Sequence, residues 1–224
     1  WVVKKGNLIY WLEKRPKIFS NWLDSNNFKE VNGNSIIIPK ASGKIAGLLV
    51  IVPKKISIWS IADIPIKVKN KNFFIDGNIN TEEETKLLVG WGLGTYKFNI
   101  YKKKKLEFSS IYVSEKVNWA KARREIAATF FVRDLINLPA NDLGPDEFEE
   151  SAKDLVNNYN AEIKTVIGDD LSANFPAINT VGGASYRSPR LIDIRWKKSN
   201  KPKIVLIGKS VCFDSGGLDI KSSI

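Results

Sequence analysis

Two lysines and an aspartate are grouped late in the sequence, as Lys209, Asp214 and Lys221. A carboxylate has two oxygens and can bridge two divalent metal ions. A lysine binds a metal only as the neutral amine, a form that burial and a neighbouring dication favour. A charged lysine instead stabilises an oxygen that gains negative charge during a reaction. These residue types on one loop indicate a site that handles both a metal and a developing negative charge.

The loop needs a strand before it and a tight turn within it. Residues 204–207 form an apolar run, which predicts a buried strand, and α/β sheets place functional residues at the carboxyl ends of strands. The Gly-Gly pair at 216–217 permits a tight turn, so that Lys209 and Lys221 can approach one substrate from different sides. Asp219 is interpreted as a carboxylate of the loop or of the surroundings of the site.

Other interpretations of these residues stay open. Lys209 and Asp214 could be ordinary charges of a surface loop, or could form a salt bridge with each other. Lys209 with Ser210 or Ser215 could form a Ser-Lys hydrolase pair, which serine labelling insensitive to chelators would reveal. A phosphate-binding P-loop is excluded, because Lys203 stands where that motif needs glycine.

The residue inventory excludes several kinds of catalysis. The chain contains no histidine, which excludes Ser-His-Asp and Cys-His catalysis within it, together with zinc sites built on histidine. The single cysteine, Cys212, therefore has no imidazole base and is predicted to be a small buried residue. One cysteine cannot form an internal disulfide, which favours a reducing compartment.

The stretch GKSVCFDSGGLDIK at 208–221 closely resembles the signature of the leucyl aminopeptidase family, the cytosolic two-metal aminopeptidases. Ser210 stands where the family usually has glycine and Cys212 where it usually has threonine, and both are small enough for the loop to form. Further similarity lies upstream, in NLPANDLGP at 137–145, VGGAS at 181–185, SPRL at 188–191 and, more weakly, GWGLGTY at 90–96.

The resemblance implies a hydrolase that removes N-terminal residues, such as leucine, from peptides with a water activated by two metals. It implies that Lys209 and Asp214 are metal ligands and that Lys221 is the catalytic electrophile. Two divalent ions per subunit are expected, Zn or Mn, with Co also suitable. The resemblance further implies a homo-hexamer in the cytoplasm. The family's remaining ligands and its arginine come later in the chain, so these residues alone are expected to be inactive.

Length and composition agree with an incomplete piece of an α/β protein. The chain has 224 residues, 43% of them hydrophobic, and contains no methionine. Because it opens on Trp1 and the signature is cut short, we expect a chain truncated at both ends. No apolar run approaches the roughly 20 residues that span a bilayer, so no membrane partner is expected.

A net charge of +11 raises the alternative of a non-catalytic regulatory or DNA-binding relative. The densest basic patch is 102–105, and some members of the family also bind DNA. The lysines are otherwise scattered, which favours a solvated turn between strands at 96–101 and 106–112 over a nucleic-acid site. Salt-dependent DNA retention that is lost when 102–105 is neutralised would support the alternative.

The predicted fold class is α/β in three parts. Residues 1–112 form a small mixed α/β domain, 113–138 a linker helix, and 139–224 the start of an α/β catalytic domain with a mixed sheet. Apolar runs bounded by prolines predict strands at 35–38, 47–52 and 56–59. Acidic residues after Thr81 predict a helix from there to about Gly90.

The second half is predicted to contain two long helices and three strands. A helix at 115–138 should bury Ala127, Phe131, Leu135 and Leu138, and should end at Pro139. A helix opening at Gly144 and Pro145 should bury one face, formed by Phe148, Ala152, Leu155 and Tyr159. Strands are predicted at 162–167, 191–196 and 203–207.

Overall fold

The computed structural model describes residues 1–68, 70–102, 107–196 and 202–213. Internal contacts divide the chain into two compact units, Trp1–Arg133 and Asp134–Ile224, called here the N-terminal and C-terminal units. Their elements make the chain a mixed α/β protein, as the sequence predicts. Among the described helices, none is long and apolar enough to cross a membrane.

The N-terminal unit combines short strands with helices packed on both of their faces. Its strands are β1 Val2–Lys4, β2 Ser35–Pro39, β3 Ile45–Val52, β4 Asn72–Phe74 and β5 Ser110–Tyr112. Its helices are α1 Leu8–Leu12, α2 Lys17–Ser25, α3 Ile64–Lys67, α4 Thr81–Gly94 and most of α5 Trp119–Asn137.

A three-stranded sheet forms the centre of this unit, in the order β1-β3-β2. β1 runs parallel to β3, and β2 runs antiparallel to it. Successive side chains of a strand point to opposite faces, so Val50 and Val52 enter one core with Leu87 of α4, whereas Leu49 enters a second core with Phe19 of α2. Burial on both faces explains why β3 is apolar along nearly its whole length.

Two of the three predicted early strands are confirmed, as β2 and β3. The prediction for 56–59 is wrong, because serine hydrogen bonds close a turn there. The amide of Ser57 donates to Oγ of Ser60 at 3.0 Å, and the amide of Trp59 donates to Oγ of Ser57 at 3.3 Å. Local side-chain hydrogen bonds of this kind compete with strand pairing.

The prediction of a strand at 96–101 is also wrong, since these residues pair with no strand in the described part of the chain. Of the predicted strand at 106–112, the structure shows Ser110–Tyr112 as β5, paired in parallel with β4. The pairing aligns Phe74 with Tyr112, and their rings stack at 4.7 Å.

Helix α4 begins at Thr81, as predicted, and continues past Gly90 to Gly94. Asn80 and Glu83 form a reciprocal capping box at its start. Gly90 and Gly94 let neighbouring backbone approach the helix closely. A Cβ at Gly90 would lie 1.8 Å from the carbonyl oxygen of Ile58, and one at Gly94 would lie 1.8 Å from that of Ala62.

Helix α5 confirms the predicted long helix but buries a different face. Ala122 is fully buried, and Ile126 and Phe130 pack against the same core as Leu88 and Leu93 of α4. Ala127 and Phe131, predicted to be buried, are exposed. The helix carries two apolar stripes, and contact with α4 selects the one that the periodicity argument did not choose.

The C-terminal unit contains helices α6 Pro145–Tyr159, α7 Gly168–Asn174 and α8 Pro176–Gly182, with strands β6 Glu162–Val166 and β7 Leu191–Arg195. The two strands pair antiparallel, with Lys164 opposite Asp193. They confirm the strands predicted at 162–167 and 191–196 to within one residue at their ends. The described part of this sheet is antiparallel rather than mixed.

Two predictions for the C-terminal unit are wrong. Helix α6 buries Glu149, Ala152 and Val156, whereas the predicted core residues Leu155 and Tyr159 are exposed. The buried face is shifted because Glu149 turns inward to pair with Arg190. Residues 202–207 form no strand with any described segment, and the apolar side chains of 204–207 are 69–95% exposed. A strand needs a hydrogen-bonding neighbour, and the described residues offer none.

Candidate functional site

The structure describes only one of the predicted site residues. Lys209 is exposed and lies in a stretch without regular secondary structure, and beyond the adjacent residues no atom lies within 4 Å of the place where a Cβ of Gly208 would be. Asp214 and Lys221 lie outside the described residues. The metal ligands and the electrophile therefore stay predictions from the sequence.

Cys212 is the residue of this stretch that the rest of the protein partly shields from solvent. Within 202–213 it is the only residue that is not exposed, which agrees in part with the prediction of a buried cysteine. Burial raises the pKa of the Cys212 thiol above its usual value; the charge of Arg187 opposes this shift and that of Glu147 reinforces it. These charges belong to a cluster at the start of α6, Asp146, Glu147, Glu149, Arg187 and Arg190, called here the arginine clasp.

Arg187 ties a loop to the amino-terminal end of α6. Its Nη1 atom lies 2.9 Å from Oε2 of Glu147 and 3.4 Å from the carbonyl oxygen of Ala140. Its Nη2 atom donates to the carbonyl oxygen of Asn141 at 2.9 Å, and its Nε atom donates to the hydroxyl of Tyr186 at 3.2 Å. A planar guanidinium can serve several acceptors at once, which an ammonium cannot do in this geometry.

Arg190 makes a second, more buried tie. Its side chain is 10% exposed and pairs with Glu149, which is 11% exposed, and with Asp146. Nη2 also donates to the carbonyl oxygen of Ser188 at 3.2 Å. Its Nε atom is buried and has no hydrogen-bond partner among the described residues. A buried guanidinium with carboxylate partners is costly to disturb, because removing one member leaves the other buried and unpaired.

The residues at the start of α6 favour a helix there and also bind these arginines. Pro145 suits the first helical position, and Asp146 and Glu147 suit the positive end of the helix dipole. Glu147 also accepts from the amide of Gly144 at 2.8 Å. Gly144 leaves room for Arg187, since a Cβ there would lie 1.9 Å from Nη1 of Arg187.

These contacts favour the charged form of Glu147 and Glu149 by lowering the pKa of each carboxyl. Backbone amides of Glu147 itself and of Gly144 lower the pKa of the Glu147 carboxyl, and the Arg187 charge lowers it further. Burial by itself would raise the pKa of Glu149, but hydrogen bonds from Lys153 and Arg190 outweigh it and hold the pKa below its usual value. The clasp carboxylates are thus engaged by cations of the protein.

The clasp is not a metal site in this arrangement, and the described residues contain no group of three or more His, Cys, Asp or Glu side chains placed to hold a metal. The donors of the predicted loop, the Lys209 amine and the Asp214 carboxylate, are types that bind divalent transition metals. Two donors fit part of such a site, since a tetrahedral zinc site takes four ligands.

The sequence did not predict the clasp. The sequence prediction of α6 rests on Gly144 and Pro145 at its start, and Arg190 enters the sequence analysis only as part of the SPRL segment. The one available signal was charge, since acids at 146, 147 and 149 directly follow the similar segment 137–145, and arginines at 187 and 190 lie in or beside the similar segment 188–191. Their pairing spans 40 residues from Glu147 to Arg187, and local pattern does not reveal such a separation.

Two shallow grooves lie in the N-terminal unit, and Lys209 lines neither of them. The first, of about 310 Å³, is lined by Phe74, Glu84, Tyr112 and their neighbours. The second, of about 270 Å³, lies between α4 and the start of α5. Of the basic patch at 102–105 the structure describes only Lys102, which is exposed.

Known families cover nearly the whole chain. A sequence model of the cytosol aminopeptidase family, catalytic domain, matches residues 130–224, and a model of the M17 aminopeptidase N-terminal domain matches residues 2–113. The chain belongs to the M17 cytosol aminopeptidase family. The resemblance seen in the sequence is thereby confirmed.

Individual M17 relatives agree with this membership. The probable cytosol aminopeptidase of Xanthobacter autotrophicus is 30% identical over 175 residues, which cover 70% of this chain and 35% of the relative. The crystal structure of a cytosol aminopeptidase from Coxiella burnetii is 30% identical, with a TM-score of 0.87, and the match covers 99% of this chain and 49% of that one. This match confirms the predicted α/β fold class.

A more distant structure is similar in fold alone. The bottromycin maturation enzyme BotP, solved in complex with Mn, is 18% identical with a TM-score of 0.60, over 86% of this chain and 43% of that one. The M17 chain described here thus spans about half the length of these solved structures and about a third of the Xanthobacter relative.

Proposed function

We propose that the full-length protein is a metallo-aminopeptidase that removes N-terminal residues, such as leucine, from peptides. The observation that carries this proposal is that both halves of the chain match the family's two domains in order. The loop that carries Lys209, Asp214 and Lys221 falls within the matched catalytic domain. We place the domain boundaries at 1–112, 113–138 and 139–224, with the middle segment as a linker helix.

The proposed ligands are Lys209 and Asp214, holding part of a site for two divalent ions, Zn or Mn, with Co also suitable. The complex of BotP with Mn supports divalent metal use in proteins of this fold. When bound, such ions polarise a carbonyl and acidify a water. Asp214 would hold the ions through its carboxylate, and Lys209 would do so through the lone pair of its neutral amine.

The proposed role of Lys221 is electrostatic. Attack on a peptide carbonyl places negative charge on its oxygen, and the Lys221 ammonium donates to that oxygen as the charge develops. Such a contact is stronger in the transition state than with the bound substrate, so it accelerates the reaction rather than merely tightening binding.

We further propose that the full-length protein is a homo-hexamer of the cytoplasm. The names of its relatives, as cytosol aminopeptidases, support the location. A single cysteine in the chain is consistent with a reducing compartment. Analytical ultracentrifugation of the full-length protein tests the assembly, and a monomer or dimer at micromolar concentration would contradict it.

The activity is tested on the full-length protein with a chromogenic leucine amide, before and after removal of metal by a chelator. We expect chelator-sensitive release of leucine, restored by Mn or Zn. The Asp214→Ala variant should lose activity and bound metal, whereas Asp219→Ala in the same loop should keep its metal. Full metal occupancy in Asp214→Ala, measured by mass spectrometry, would show that Asp214 is not a ligand.

A further inference from the structure

The three acids in the first turn of α4 have different partners. Glu82 and Glu83 each pair with a lysine at 2.7 Å. Glu84 instead accepts from the amide of Ser114 at 2.8 Å and from the Ser114 hydroxyl at 2.7 Å. Within the described part of the chain, Glu84 is therefore the one acid of this turn that forms no ion pair. Two hydrogen bonds fix its carboxylate and leave its negative charge available to a ligand.

Glu84 lines the first of the two grooves in the N-terminal unit, together with Phe74 and Tyr112; this groove of about 310 Å³ is called here the aromatic groove. The pairing of β4 with β5 places the two aromatic residues side by side, and their rings stack at 4.7 Å with 17° between the ring planes. Phe74 is 74% exposed and Tyr112 is 48% exposed. Apolar side chains form much of the remaining lining, namely Ile75, Ile79 and Val113.

A carboxylate beside exposed aromatic rings is complementary to a flat cation. A guanidinium stacks on aromatic faces and donates hydrogen bonds to carboxylates in the same plane. Each oxygen of a carboxylate has two lone pairs, so Glu84 can accept from a ligand and keep both bonds from Ser114. An ammonium offers the charge but does not stack as a plane, and a purely apolar ligand makes no use of Glu84.

We propose that the aromatic groove binds the arginine side chain of a peptide, with the guanidinium donating to Glu84 and stacking on the rings of Phe74 and Tyr112. The net charge of +11 disfavours cations near the chain as a whole. Attraction to a cationic ligand must therefore come from a local carboxylate that is not already paired. This site is separate from the proposed chemistry of the metal loop, and neither proposal depends on the other.

The experiment measures fluorescence anisotropy of a dye-labelled, N-acetylated peptide that carries one arginine, in about 0.15 M salt, where charges more than about 8 Å apart are largely screened. Matched peptides carry lysine, or citrulline, which has the shape of arginine without its charge. Full-length protein is compared with Glu84→Gln, which keeps an acceptor for Ser114, and with Tyr112→Leu and Phe74→Leu. Circular dichroism verifies that each variant is folded.

Two variants serve as controls. Glu82→Gln removes the same charge from the same turn of α4, but Glu82 is already paired with a lysine. Tyr10→Leu removes an aromatic side chain that is 62% exposed on α1 and does not line the aromatic groove. General attraction to the acidic turn would weaken equally in Glu82→Gln and Glu84→Gln, and general adhesion to exposed rings would weaken equally in Tyr10→Leu and Tyr112→Leu.

We expect the arginine peptide to bind more tightly than the lysine peptide, and the citrulline peptide to bind weakest. Glu84→Gln should raise the Kd of the arginine peptide about fivefold and leave that of the citrulline peptide unchanged. Tyr112→Leu and Phe74→Leu should each raise the Kd about two- to fivefold, and both controls should match the wild type. If Tyr112→Leu does not fold, Phe74→Leu tests the stacking by itself. Equal affinity for arginine and citrulline peptides, an unchanged Kd in folded Glu84→Gln, or no measurable binding to the wild type would each overturn the inference.

Discussion

Nη1 of Arg187 lies 2.9 Å from Oε2 of Glu147, and the same oxygen accepts from the amide of Gly144 at 2.8 Å. One carboxylate oxygen therefore serves two purposes: it caps the amino-terminal end of α6 and binds the loop that precedes β7. A proton on Glu147 would weaken both contacts together. The charge of Glu147 therefore controls the connection between the start of α6 and the loop before β7, called here the joint.

This joint should make the C-terminal unit sensitive to acid. The pKa of Glu147 is lower in the folded protein than its usual value of 4.5, through the backbone amides and Arg187. A lowered carboxyl pKa stabilises the folded state above the unfolded pKa, and that stabilisation is lost as the pH falls through the folded value. Urea unfolding between pH 7 and pH 3, followed by circular dichroism, should show a gap between wild type and Glu147→Gln that closes with acid.

Asp154→Asn controls for the loss of a charge from α6, because Asp154 is exposed on the same helix. The difference in the free energy of unfolding between Glu147→Gln and Asp154→Asn measures what the two contacts of Glu147 contribute. A gap between wild type and Glu147→Gln of constant size down to pH 3 would contradict the assignment.

The glycines of α4 predict a second, independent effect. Gly90→Ala and Gly94→Ala should each lower the free energy of unfolding of the N-terminal unit by about 1–3 kcal/mol, because the new Cβ would overlap a backbone carbonyl. In a helix with free space around the glycine, Gly→Ala instead raises the free energy of unfolding by about 1 kcal/mol. Chemical unfolding followed by circular dichroism measures the difference.

Gly92→Ala is the matched control on the same helix. Its Cβ would meet the Cδ1 atom of Ile126 at 2.3 Å, which is the end of a flexible side chain and can move. We expect a smaller loss than at Gly90 or Gly94. Equal stability of Gly90→Ala and wild type would show that the 58–62 turn can withdraw from the helix.

The two lysines of the metal loop should fail in different ways in the full-length enzyme. Lys221→Ala should lower kcat by about 10²–10³ with little change in KM or metal content, because an electrophile acts mainly in the transition state. Lys209→Ala should weaken one metal site and recover part of its activity in excess metal. Steady-state kinetics with metal titrated for both variants test this, and rescue of Lys221→Ala instead would reverse the two roles.

Exposed apolar residues at 204–207 predict self-association of this chain. Leu206 and Ile207 are 92% and 95% exposed, and contiguous apolar surface of this kind promotes aggregation. The double substitution Leu206→Lys with Ile207→Lys should reduce light scattering while changing stability by less than about 0.5 kcal/mol. Unchanged scattering would place the association surface elsewhere. The change Leu49→Lys, in a buried strand, should instead unfold the N-terminal unit.

The sequence predicted those helices and strands that are determined by residues close together in the chain. Apolar runs bounded by prolines predicted β2 and β3, and strands were also predicted at β6 and β7. Acidic residues after Thr81 predicted the start of α4, and Gly144 with Pro145 predicted that of α6. The short helices α7 and α8 were missed because they lie within one loop-like stretch between β6 and β7. The strand predicted at 56–59 failed because serine hydrogen bonds outweighed the apolar run.

Contacts with other parts of the fold, rather than periodicity, determine which faces of α5 and α6 are buried. Both α5 and α6 carry more than one apolar stripe, and their buried faces were chosen by α4 and by Arg190 respectively. The residue types at Lys209, Asp214 and Lys221 predicted the chemistry of the site, whereas the arginine clasp depends on partners far apart in sequence. Motifs thus indicated the reaction class, and only the fold revealed the arginine clasp.

Where Gly90 and Gly94 meet the 58–62 turn, helix α4 contributes backbone to the contact but no side chain. At these two positions the helix consequently has no rotamers that could adjust to a redesigned neighbour. An engineer who grafts the N-terminal unit onto another scaffold can repack the two cores that enclose its sheet. The helix and the turn, however, would have to be transplanted together as one backbone fragment.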